Sequence, residues 1–132
     1  MLAAGAPSRP RAGRSATSRA TAPLFAGDAL KAGAFVAAIG SSLPTTRELD
    51  DRALMRAHAI VVEWREQTLA EAGDLVLADP RCGVAGKLVQ LDAVLAGTPV
   101  RQSPTDIVIY KSVGVGLEDI ALAGLAYRRV AE

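Results

Sequence analysis

From Pro23 onward, short β-branched apolar runs alternate with segments of helical period, and that alternation confines the chain to an α/β architecture. Ala34-Phe35-Val36-Ala37-Ala38-Ile39 stops at Gly40 and reads as a buried strand. Asp50 to Ala57 follows as a helix, with acids in its first turn and Leu54 and Met55 inward. Ile60-Val61-Val62 is the next strand, and Arg65 to Ala72 the next helix, with Gly73 as its C-terminal cap. After a loop at Pro80-Arg81-Cys82-Gly83, the spacing of Leu88, Leu91, Val94 and Leu95 predicts a helix over Lys87 to Ala96, ended by Gly97. Asp106-Ile107-Val108-Ile109-Tyr110 reads as a strand. Ser112 to Gly116 then leads into a final helix with Leu117, Ile120, Ala121 and Tyr127 at helical spacing, where Gly124 lets a partner element approach closely.

Residues 1–15 differ in texture. Met1 to Ala22 contains Arg9, Arg11, Arg14 and Arg19 and no acid, with Pro7, Pro10, Gly5 and Gly13 and no sustained apolar period. Such a stretch suits an organellar transit peptide, and equally a disordered leader or a segment with no selected structure. It is read here as a disordered basic leader.

With 132 residues, 50% of them hydrophobic and 22% charged, the remainder is long and apolar enough to bury a core. A net charge of +1 and 4% aromatic residues give no bias toward nucleic acid. No stretch approaches the roughly 18 consecutive apolar residues of a membrane span. The single cysteine, Cys82, cannot form an internal disulfide, so a reducing cytoplasm is the expected compartment.

Few residues stand out for chemistry. His58, the only histidine, has no Asp or Cys at a metal-ligand spacing and reads as structural; no metal is expected. Cys82 lacks a partner and an evident base and reads as a buried or idle thiol. Ser112-Val113-Gly114-Val115-Gly116 opens a helix with glycines, yet Asp119 stands where a third glycine would complete a dinucleotide fingerprint, and a plain turn explains it as well. The most informative stretch is Ile39-Gly40-Ser41-Ser42-Leu43-Pro44-Thr45-Thr46-Arg47-Glu48-Leu49-Asp50. It leaves the C-terminal end of a strand, where open α/β sheets place their ligands, and offers Gly40 for close approach with two hydroxyls beside it. A loop with a capping serine is the alternative reading.

That stretch, with Leu54 and Met55, resembles the ornithine cyclodeaminase/mu-crystallin family, whose pattern is a strand, a glycine, a short variable stretch, proline, then Glu-Leu-Asp. Pro23-Leu24-Phe25, Leu30-Lys31-Ala32-Gly33-Ala34, Glu71-Ala72-Gly73-Asp74-Leu75 and Tyr110-Lys111-Ser112-Val113-Gly114 with Glu118-Asp119 resemble further blocks of that family, in the same order. The resemblance implies an NAD(P)-dependent enzyme acting on a cyclic imino acid or amino acid, with NADPH or NADH as cofactor and a homodimer as the complete form. It implies an α/β fold: a partial Rossmann-like parallel sheet with helices, plus a strand and long C-terminal helix from the dimerisation/substrate domain. Residues 16–100 would be the partial dinucleotide-binding domain and 101–132 the return segment. The family's glycine-rich phosphate loop and substrate-binding Arg and Lys would precede everything seen here, so this chain is expected to be a C-terminal part, inactive alone.

Carried over residue by residue, the resemblance puts Ser18, Arg19, Ile39, Gly40 and Ser112 along the cofactor and Ser42, Glu71 and Val113 beside the substrate. Ornithine cyclodeaminases look to carry a proton-handling aspartate where this chain has Ser42, whereas mu-crystallin-like ketimine reductases resemble this chain in carrying serine. A serine without an activating partner is no general base at neutral pH, so imine reduction is favoured over deaminating cyclisation. Glu71 reads equally as an exposed helix acid. An ornithine cyclodeaminase fragment and a truncated interaction module are the alternatives.

Overall fold

The structure is a computed structural model and describes residues 13–131. Five strands, β1 (Gly13–Ala16), β2 (Phe35–Ala38), β3 (Ala57–Val62), β4 (Leu88–Gln90) and β5 (Ile107–Lys111), form one sheet in the order β1-β2-β5-β3-β4, with every neighbouring pair parallel. Short helices α1 (Asp51–Arg56), α2 (Arg65–Glu71), α3 (Gly73–Val76), α4 (Val84–Lys87) and α5 (Leu91–Leu95) connect them, and α6 (Gly116–Ala131) ends the chain. The strands finish in register: Ala16 lies opposite Ala38, Ala38 opposite Lys111, Lys111 opposite Val62, and Val62 opposite Gln90. All strand exits therefore lie along one edge.

The core fills one face of the sheet. Val36, Ala38, Ile60, Val62 and Ile109 are fully buried there with Leu49, Ala53 and Leu54 from the segment around α1 and Ala72 beyond α2. Asp50 starts α1 by accepting from Ala53 N at 2.7 Å, and its other oxygen accepts from Gly27 N at 2.8 Å. The opposite face is more open: Phe35, Val61, Leu91, Val94, Val100, Val108 and Tyr110 line an apolar groove of about 390 Å³.

The parallel sheet and the long terminal helix are as the sequence leads one to expect, but several boundaries differ. Gly13, Arg14 and Ser15, assigned above to the basic leader, belong to β1, because pairing with Phe35, Val36 and Ala37 satisfies backbone groups that propensity alone leaves unassigned. Residues 1–12 of that leader lie outside the described residues. The helix expected over Lys87 to Ala96 is instead α4, β4 and α5. Leu88, Val89 and Gln90 pair with Ile60, Val61 and Val62 along an otherwise open strand, which outweighs their helical spacing. Gly73 is no left-handed cap; it begins α3, and a Cβ there would collide with the Thr46 carbonyl oxygen. β5 sits at the centre of the sheet, so the return segment drawn from residue 101 starts within the sheet layer and only α6 leaves it. That helix buries no residue.

His58 is the extra residue where the β3–β5 register shifts between Ala57 and Ala59. The bulge turns its ring outward, 3.8 Å from the Asp106 carboxylate.

Candidate functional site

The residues just past the strand exits define the site. Thr17, Ser18 and Arg19 leave β1, Ile39, Gly40 and Ser42 leave β2, and together they line a polar groove of about 340 Å³. Arg19 is exposed, Ser18 and Ser42 are half-buried, and Ile39 is 42% exposed. Five of the eight residues singled out from sequence thus meet in one place. Ser112 stands one strand away, its N–H donating to Ala38 O at 3.1 Å. Glu71 and Val113 do not line the groove. Val113 rests against the core, and Glu71 accepts from Gln67 Nε2 at 3.1 Å, which also donates to Gly114 O at 3.2 Å.

Two carboxylates organise this edge. Glu48, fully buried, accepts from Ser18 N on Oε1 and from Gly40 N at 3.0 Å on Oε2. Glu63, leaving β3, accepts from Tyr110 Oη at 2.7 Å, Ser112 Oγ at 2.5 Å and Gly114 N at 3.2 Å. Burial, reinforced by the bond to Glu63, pushes the Tyr110 phenol up to about 12. Gly40 has a packing role within the protein itself. A Cβ there would overlap Glu48 Oε1 and the Ser18 backbone, so the glycine makes room for protein atoms. Gly114, at φ 84°, supplies the left-handed turn into α6.

Beneath the groove lies a buried ionic cluster. Asp74 Oδ1 accepts from Glu48 N at 2.7 Å and Leu49 N at 2.8 Å, and Lys111 Nζ stands 3.5 Å from Asp74 Oδ2 and donates to Ala38 O at 3.2 Å. Burial raises the Asp74 carboxyl above its ordinary range and lowers the Lys111 ammonium below its own. Ser41 Oγ accepts from Asp74 N at 3.1 Å and donates to Thr46 O at 2.9 Å, fixing the loop that carries Ser42. Ser42 N donates to Gly40 O at 2.9 Å, while its hydroxyl has no hydrogen bond among the described residues. Sequence reading assigned no role to Glu48, Glu63, Asp74 or Lys111. Three of them lay inside the quoted blocks, but their convergence is a tertiary fact. Glu63 was signalled only as an acid directly after a buried strand.

Cys82 is buried, and burial raises its thiol pKa. Among the described residues no three His, Cys, Asp or Glu side chains converge as a metal site, and no helix is long and apolar enough to cross a membrane.

A parallel sheet with its strand exits aligned under a polar groove defines a Rossmann-like α/β protein, a fold whose ligands bind beyond the carboxyl ends of the strands. The model of the ornithine cyclodeaminase/mu-crystallin family matches residues 14–132, and the chain belongs to that family. It is 38% identical over 109 residues to the ketimine reductase mu-crystallin of Mus musculus, covering 82% of this chain and 32% of that protein. A probable ornithine cyclodeaminase from Bordetella pertussis Tohama I superposes with a TM-score of 0.87 at 69% identity, covering 90% of this chain and 39% of that one. The Thermococcus litoralis Δ1-pyrroline-2-carboxylate reductase, solved with NADH and L-proline, gives a TM-score of 0.78 at 27% identity, covering 90% and 37%. The chain spans about a third of the length of the mouse relative.

Proposed function

We propose that this chain is the C-terminal part of a nicotinamide-dependent ketimine or pyrroline-2-carboxylate reductase and forms one wall of its cofactor and substrate site. The observation that carries the reading is the groove in which Ser18, Arg19, Ile39, Gly40 and Ser42 meet at the aligned strand exits. Three hydroxyls and a guanidinium around an open polar groove suit a polar, phosphorylated cofactor, with Ser18, Arg19 and Ile39 along NADH or NADPH. When bound, the nicotinamide supplies a hydride to an imine carbon. Ser112, anchored through its hydroxyl to Glu63, holds the neighbouring exit. Ser42 orients the imine through its hydroxyl, and Val113 and Glu71 border the substrate from the β5 exit and α2.

No Gly-x-Gly-x-x-Gly occurs in the 132 residues, and the pyrophosphate-binding turn of such folds is proposed to come from the N-terminal part of the complete enzyme. Alone it is proposed to be inactive. The complete enzyme is a homodimer, a reading supported by the uncovered apolar residues of α6. A cytoplasmic location suits the single buried cysteine. Ornithine cyclodeamination is the second reading, favoured by the 69% identity to the Bordetella protein. Ser42 opposes it, because a serine with no hydrogen-bonded base among the described residues is no general base at neutral pH.

The test joins this chain to the N-terminal part of a relative and measures cyclic ketimine reduction beside ammonia release from ornithine. Reduction should dominate, and Ser42→Ala should lose only the modest part of the rate that one neutral hydrogen bond accounts for, about 0.5 to 1.5 kcal/mol. Faster ammonia release than reduction would make the cyclodeaminase reading the right one.

A further inference from the structure

We propose that Glu48 is a positioning residue for the groove, its carboxylate tying the exits of β1 and β2 together and setting the spacing of the two walls. The parallel ladder that joins these strands ends at Ala16 opposite Ala38, with a last bond from Ile39 N to Ala16 O at 2.9 Å. Past that point Glu48 takes over: Oε1 accepts from Ser18 N and Oε2 from Gly40 N, one oxygen for each wall. A fully buried carboxylate is costly unless charge-assisted hydrogen bonds compensate it, and these are its compensation. The backbone is fitted to the arrangement, because only a glycine at position 40 leaves space for the carboxylate and for Ser18. Glu48 is itself held from behind, its N–H donating to Asp74 and its carbonyl accepting from Leu24 N at 2.9 Å.

One consequence concerns recognition. The Ser18 and Gly40 N–H groups, which a small-residue loop would otherwise offer to an anion, are already donated to Glu48. A ligand in this groove therefore meets the Thr17, Ser18 and Ser42 hydroxyls and Arg19, above the buried Glu48 side chain. That the ligand is a nicotinamide cofactor rests on the function proposed above; the clamp itself does not.

The experiment is NMR on the isotopically labelled 132-residue chain without nucleotide. In the wild type, the Ser18 and Gly40 amide nitrogens should show coupling across the hydrogen bond to the Glu48 side-chain carbonyl carbon. Glu48→Gln keeps the volume and one acceptor oxygen. Amide exchange at Ser18 or Gly40 should then accelerate on the order of tenfold, the factor expected for losing one hydrogen bond to a charged group, with Ile60 to Val62 unchanged. Missing coupling in the wild type, unchanged exchange at both amides, or equal acceleration at Ile60 to Val62 each overturns the proposal. NADH is added afterwards to the wild-type chain joined to the N-terminal part of a relative, which supplies the pyrophosphate-binding turn. Unmoved Arg19 and Ser42 resonances with the clamp intact would count against the cofactor reading alone.

Discussion

Asp74 and Lys111 face each other across 3.5 Å with both side chains fully buried, and Asp74 Oδ2 has no hydrogen-bond partner. Lys111 is thus what compensates that oxygen. Breaking a buried pair by removing one member costs about 3 to 5 kcal/mol, because a charge is left uncompensated. Lys111→Met, which keeps much of the side-chain length, should lower the unfolding free energy by that order in urea titrations at neutral pH. The loss should shrink in acid. Burial raises the folded Asp74 pKa above the ordinary 3.8, so its contribution to stability is fully present below 3.8 and is lost as pH rises through the folded value. In the variant, stability should therefore fall steeply above about pH 4.

The Tyr110 phenol gives a second pH signature. Its folded pKa is pushed up to about 12, first by burial and then by its bond to Glu63. The folded chain holds this proton between the ordinary value of 10.0 and about 12, where the unfolded chain has released it, so stability falls as pH rises through that window. Ultraviolet titration should find one tyrosine un-ionised at about pH 11. Tyr110→Phe should abolish that late step, and Glu63→Gln should move it to lower pH.

Sequence made the α/β alternation legible because β2, β3 and β5 carry apolar runs at residues 35–38, 59–62 and 107–109, as buried parallel strands do. It missed β4 because Leu88, Leu91, Val94 and Leu95 fit a helical period, whereas Leu95 is 81% exposed and only pairing with β3 decides the matter. The first strand of the sheet gives no such signal, because Gly13 to Ser15 lie in arginine- and glycine-rich composition. At the site, residues next to strand ends were readable from position alone. Glu48, Asp74 and Lys111 were not, since a buried charge is recognisable only once its partners, from residues 26 and 37 positions apart, have been brought together.

Gly40 and Gly114 should respond differently to alanine. At Gly40 the new Cβ meets Glu48 and Ser18, a steric conflict of the kind that costs about 1 to 3 kcal/mol in a packed interior. At Gly114 nothing lies within 4 Å, and the penalty is the left-handed backbone at φ 84°, about 1 to 2 kcal/mol. Denaturant titration measures both costs. The distinguishing readout is local: only Gly40→Ala should displace the Ser18 and Arg19 amide resonances, whereas Gly114→Ala should move those of Ser112 and Glu118.

Helix α6 is 16 residues long and buries none of them; Leu117, Ile120 and Tyr127 are 71%, 69% and 74% exposed. Isolated helices of about this length are marginal in water, so α6 draws on its own ends. Glu118 and Asp119 lie in its first turn and Arg128 and Arg129 in its last, both favourable to the helix dipole. Since Leu117 and Ile120 contribute nothing to the core, replacing both with serine should leave the urea unfolding of the sheet within about 0.5 kcal/mol of wild type, followed by Trp64 fluorescence. The same pair should matter for association, because an apolar face without cover is what a partner surface requires. Sedimentation at rising concentration should show less self-association in the double variant than in the wild type. A drop of more than about 1 kcal/mol in unfolding free energy with unchanged sedimentation would mean that α6 docks on its own sheet, and the assignment of its apolar face to assembly would then be wrong.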